Sequence, residues 1–200
     1  MKKLFLSAMA LVAATTMSVA QEIDFGVQAG VNFAKLQGDS VEDADGRTGI
    51  NVGLTGEYMF NDSFALFTGV IYSQQGLQSE DAGIEQKLKL DYLNVPVLAK
   101  FYIADSGFSI DAGPQIGFIV NDEYTVEGGP LAGETDLDAA TIDLSAGGGV
   151  SYKFLEGTTL EGLSIGARYM IGLSNIYDDD EAFGDDLTNS VLSVNLGYRF

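Results

Sequence analysis

The residues of this 200-residue chain best suited to chemistry are its carboxylates. The densest run is "YDDDEAFGDD" (Tyr177–Asp186), which could gather several oxygens round a calcium ion without any fixed motif. A second stretch, "DADGRTGINV" (Asp43–Val52), resembles a calcium-binding loop with Gly46 in the sixth position. That register puts Val41 first and Val52 twelfth, where a carboxylate and a bidentate glutamate are needed, so the match fails. Paired carboxylates can divide acid and base roles only where the surroundings drive their pKa values apart. Asp178, Asp179, Asp180 and Glu181 have no apolar wall beside them, and the run reads as a solvated loop. The chain contains no histidine and no cysteine, which removes the commonest general base, the thiolate nucleophile and two common metal ligands. Gly147-Gly148-Gly149 is followed by no helix and no suitably placed lysine, so it is no phosphate loop and fits close packing or bending of a wall. No catalytic, cofactor-binding or metal-binding residue is assigned, and no cofactor is expected.

The elements that hold these residues are strands. Apolar and polar residues alternate nearly throughout, with no 3.6-residue period. Eight strands are expected: 23–35, 49–60, 64–75, 88–103, 107–120, 141–154, 162–174 and 190–200. In the last, Leu192, Val194, Leu196, Tyr198 and Phe200 oppose Ser193, Asn195, Gly197 and Arg199. The third is the least regular, because Phe67 and Ile71 fall on the polar face. Turns at 61–63, 104–106 and 155–161 are short. Those at 36–48, 77–87, 121–138 and 175–189 are long and hold 19 of the 29 acids. Short turns at one end and long polar loops at the other are the pattern of an outer-membrane barrel.

Lys2 and Lys3, the apolar run Leu4–Ala14 and the small residues Ser18-Val19-Ala20 form a secretory leader, with cleavage expected before Gln21. Residues 1–20 are thus read as signal peptide and 21–200 as one barrel domain. No later apolar run reaches the 18 residues of a transmembrane helix. The net charge is −19, and −21 once Lys2 and Lys3 are removed, which excludes nucleic acid as a partner.

Size decides which face points outward. The polar face is rich in Gly26, Gly30, Gly53, Gly113, Gly117, Gly147, Gly149, Gly166, Gly172 and Gly197, and it fits the narrow interior of an eight-stranded barrel. The broad apolar face needs lipid. Phe25, Tyr58, Phe60, Phe64, Phe101, Phe108, Tyr152, Phe154, Tyr198 and Phe200 lie near the short-turn ends, as an interfacial girdle should. Phe33, Tyr72 and Phe118 suggest a sparser girdle at the loop end. The fold expected is therefore all-β: an eight-stranded antiparallel transmembrane barrel with short periplasmic turns and long acidic extracellular loops in the outer membrane.

"DYLNVPVLAKFYI" (Asp91–Ile103), "DAGPQIGF" (Asp111–Phe118) and "YSQQG" (Tyr72–Gly76) resemble the PorT family of outer-membrane β-barrel proteins. The resemblance implies a barrel of a Bacteroidetes-type bacterium. The founding member's link to protein secretion is tied to no residue here. The aromatic C-terminus after an alternating strand likewise resembles the signal read by the barrel-assembly machinery.

Two functional classes remain: a non-enzymatic membrane anchor with a filled lumen, and a small pore or solute conduit. An accessory role in secretion follows only from the resemblance. An exported soluble ligand-binding barrel would need the inverse facing. Eight strands leave little open lumen, which favours the anchor. Expected partners are outer-membrane lipid and lipopolysaccharide, loosely bridged by divalent ions, the assembly machinery through the C-terminal strand, and a protein at the extracellular loops. Inside, Asp24, Glu57, Lys100, Asp111, Asp143, Lys153, Arg168 and Arg199 share the polar face. The expected ion pairs are Lys100–Asp111 and Asp24–Arg199, with Arg168 reaching Glu57 or Asp143.

Overall fold

Period-2 alternation becomes a closed wall. The computed structural model describes residues 23–38, 45–81, 84–104, 106–127, 133–136, 139–155, 157–176 and 187–200. The leader with its cleavage site, Asp43 and Ala44, and the acidic run Tyr177–Asp186 lie outside the described residues. The strands are β1 (Ile23–Gln37), β2 (Asp45–Asn61), β3 (Phe64–Asp81), β4 (Ile84–Tyr102), β5 (Phe108–Glu127), β6 (Gly133–Asp136), β7 (Ile142–Lys153), β8 (Leu163–Gly172) and β9 (Thr188–Arg199). Each pairs antiparallel with its neighbours; β4 pairs with β5, and β1 pairs with β9 from Gly26↔Arg199 to Gln37↔Thr188. That last pairing closes the cylinder, which leaves no wall strand as a free edge. Eight strands make the wall; β6 is a short extra strand on the upper end of β5.

The segments expected as long loops are partly strand. The 77–87 stretch is a hairpin paired as far as Asp81↔Ile84, β5 continues to Glu127, and β1 and β2 extend to Gln37 and from Asp45. Polar sequence does not stop a ladder in water, where both faces of a strand can be solvated. The short turns match expectation. In the 104–106 turn the chain reverses through Gly107, at φ +78°, where a Cβ would lie 2.5 Å from the Lys153 carbonyl oxygen.

The apolar face is outside. Leu54 is 68% exposed and Leu196 63%, values at odds with water and suited to lipid. At the short-turn end Tyr58, Phe60 and Phe64 pack ring against ring in series, as do Phe108, Tyr152 and Phe154, with ring centroids 4.8–5.3 Å apart. Phe33 and Phe118 are exposed nearer the loop end.

Higher up, the polarity of the two faces inverts. Along β4, Leu93, Val97 and Phe101 are exposed, whereas Leu88, Leu90 and Tyr92 are buried inside. The opposite face at this level carries Lys87 and Lys89, and Asp91, which Arg47 and Tyr72 cover. Likewise Leu36 is buried on β1 while Lys35 is exposed. The wall leaves lipid at Asp91–Leu93 and is built above that line like a water-soluble protein.

Candidate functional site

The lumen is where the chain concentrates its inward charges. Four layers follow one another from the short turns to the loops. The floor holds Asp24, Glu57, Lys100, Tyr102, Lys153 and Arg199 around a cavity of about 80 Å³. Arg199 donates to Asp24. Lys100 lies 3.0 Å from Glu57, which also accepts a hydrogen bond from the Tyr102 hydroxyl.

The next layer joins Arg168 to Asp111 in a bidentate contact, Nε–Oδ1 at 3.0 Å and Nη2–Oδ2 at 3.2 Å. The Arg168 guanidinium sits 4.7 Å from the Phe67 ring centroid, with the Lys100 ammonium 5.8 Å from the same ring. Phe67 and Ile71, misplaced by strict alternation, are therefore lumen-filling residues. Ile71 faces the layer above, with Met170 and Val191.

The expected Asp24–Arg199 pair is present. Lys100 and Asp111 do oppose each other across β4 and β5, but they do not pair. Asp111 takes Arg168 instead of leaving it for Glu57 or Asp143. Small residues explain the exchange. Asp111 is opposite Gly149, and Gly149 is opposite Arg168, so the guanidinium crosses β7 over a position with no side chain. A Cβ at Gly149 would lie 3.2 Å from Arg168 Cα and 2.7 Å from the Ala167 carbonyl oxygen. Lys100 crosses β3 past Ala65, its register partner, to reach Glu57. A fork-shaped guanidinium also holds a carboxylate in two bonds, which an ammonium cannot match. Asp143 accepts from Asn189 Nδ2 at 3.0 Å.

Above lies an amide layer. Asn32 Nδ2 donates to Ser73 Oγ at 2.9 Å and to the Gln74 carbonyl at 3.0 Å. Its Oδ1 accepts from Asn51 Nδ2 and Ser193 Oγ, each at 2.8 Å. Four partners satisfy a fully buried amide. Asn94 and Asn195 each keep an amide oxygen without a protein partner beside a cavity of about 30 Å³, room for a water or two.

At the loop end the lumen is closed by an apolar cap: Leu36, Leu88, Leu90, Tyr92, Ile176 and Leu187. Ile176 N–H donates to the Leu187 carbonyl at 2.9 Å, and Ala140 N–H to the Ile176 carbonyl at 2.8 Å. The two ends of the last loop are thus pinned on the cap. Alternation alone conceals this layer. Its signal is the change of apolar phase in "KLKLDYLNV" (Lys87–Val95), from even to odd positions.

At cap level the largely buried Arg47, register partner of the buried Ala34, donates to the Gln75 carbonyl and lies 3.4 Å from Asp91, which also accepts from the Tyr72 hydroxyl at 2.8 Å. Lys89 pairs with Glu123 at 2.5 Å, and Thr125 donates to the same carboxylate. These two donors hold Glu123 below the usual carboxylate range. Among the described residues no group of three or more His, Cys, Asp or Glu side chains comes together to hold a metal. The luminal charges suit plugging and bracing.

Comparison with solved structures finds the same architecture. Neisserial surface protein A from Neisseria matches with a TM-score of 0.54 and 18% identity, over 88% of this chain and 97% of that one. Ail, the attachment invasion locus protein of Yersinia pestis, matches with a TM-score of 0.53 and 17% identity, over 90% and 99% respectively. These likenesses show the fold. No curated protein matches by sequence. The sequence does match the outer membrane protein beta-barrel domain over residues 19–178. The chain belongs to that family, and it is a small eight-stranded barrel of the outer membrane.

Proposed function

We propose that this barrel is a non-enzymatic membrane anchor that offers its acidic extracellular segments to a protein partner. The observation that carries the reading is the filled lumen: paired charges at the floor, an amide layer above them and an apolar cap at the loop end. A conduit would need a continuous wet path, and the cap interrupts one. The absence of histidine and cysteine supports a role without catalysis. The phrases at Tyr72–Gly76, Asp91–Ile103 and Asp111–Phe118 support a PorT-type member of Bacteroidetes origin, exported through the 1–20 leader.

Single-channel recording in planar bilayers tests the reading. No stable open level is expected. A reproducible level that survives repurification would overturn the anchor and favour a pore. Crosslinkers placed at the loop tips should capture a discrete partner on intact cells. Contact with lipopolysaccharide and with the barrel-assembly machinery belongs to the same proposal. Removing Phe200 should lower outer-membrane insertion more than synthesis, and unchanged membrane levels would exclude the C-terminal strand as the assembly signal.

A further inference from the structure

The floor of the lumen holds one more cation than its acids can pair. Asp24 is engaged by Arg199, and Glu57 by Lys100 and Tyr102. Lys153 has no carboxylate within ion-pairing reach among the described residues; its ammonium sits 5.7 Å from the Tyr102 ring centroid. It lines the same cavity of about 80 Å³ as Lys100 and Arg199, with the hydroxyls of Thr55, Ser151 and Ser164 on the wall. A cation in so narrow a space is costly without a counter-charge. The cavity exceeds the roughly 10–15 Å³ that one water requires. The Lys153 ammonium and these hydroxyls can donate to negative oxygen atoms, beside the Asp24–Arg199 and Glu57–Lys100 pairs that line the same cavity.

We propose that the periplasmic floor of the barrel is a binding site for a small soluble oxyanion, with Lys153 as its principal ligand. Within a chain of net charge −19, this is a locally positive pocket. Phe67, Lys100, Ser151 and Ser164 also line an adjoining cavity of about 60 Å³ beside Arg168. The floor lies at the short-turn end, so a ligand reaches it from the periplasmic side. The site needs no passage through the cap and is independent of the anchor reading.

The test is an NMR titration of the full barrel in dodecyl maltoside, a detergent without phosphate. Inorganic phosphate is added at ionic strength held constant with chloride. Saturable shifts are expected at Lys153, Ser151 and Ser164, with none at the rim. Lys153→Met should weaken the affinity at least tenfold. Lys35→Met, which removes an exposed rim cation, should change it less than twofold. Absence of saturation in the wild-type barrel would overturn the site without any variant. So would equal affinity in a folded Lys153→Met, or equal saturation by chloride.

Discussion

The floor and the cap of the lumen are built from the same inward-facing strand positions and are opposite in character. The floor is charged and carries the cavity. The cap is apolar: Leu90 and Tyr92 are each 1% exposed. What differs is the medium outside the wall. At floor level the outer positions meet lipid and take the apolar residues, so the inner ones are left polar, and all of the floor charges but Lys153 are paired. At cap level the outer positions meet water and take Lys87 and Lys89, so the inner ones can form an ordinary core. Apart from lumen-filling Phe67, Ile71 and Met170, lumen polarity in this barrel is the complement of its surroundings.

The contrast is broken hardest in the charged layer just above the floor. Asp111→Asn strands the Arg168 guanidinium in the lumen, and removing one partner of a buried pair costs about 3–5 kcal/mol. Denaturant titration from lipid vesicles measures it, and a double change with Arg168→Gln should cost less than the two single changes combined. At the cap, Leu90→Ala should cost about 2–5 kcal/mol, as for other large-to-small core changes. Hydrogen exchange should then rise at the loop end of β4 while the floor amides stay protected. A rise spread evenly along the barrel would contradict a separate cap.

The wall between them is probed by Val194→Arg, expected to cost about 2–4 kcal/mol near the bilayer midplane. The neighbouring Ser193→Arg should escape that lipid-transfer cost. Equal costs at both would refute the assigned facing. The smallest effect belongs outside the cap. Because Lys89 and Thr125 lower the Glu123 pKa, its contribution is complete above the usual carboxylate range and is lost as pH falls through the lowered folded value. Glu123→Gln should flatten that acid limb slightly, as befits a solvated pair. A steep acid transition abolished by Glu123→Gln would mean the pair is far more shielded than its position outside the cap implies.

Strand number, order and facing were legible because a lipid-exposed sheet has a strict period of two, and a one-residue slip would reverse every side chain. The Asp24–Arg199 contact was legible for a related reason, since closing the barrel sets β1 against β9. The Arg168–Asp111 pair was not. It spans two strand gaps, and its reach depends on Gly149, a residue whose role is to be absent. The cap was hidden by the assumption of a single facing throughout. "KLKLDYLNV" contains the change, but alternation looks equally good on either side of it. Strand ends were underestimated at 77–87 because polar composition marks exposure to water and not the end of hydrogen bonding.

The change of facing at Asp91–Leu93 has a mechanical consequence. Successive same-side residues on a strand are about 6.6 Å apart. Sinking the barrel by that step would draw Lys89 and Asp91 toward hydrocarbon. Raising it would lift Leu93 and Phe118 into water. Both displacements are opposed, so the barrel has a fixed draught in the membrane, set by the wall itself and independent of its loops.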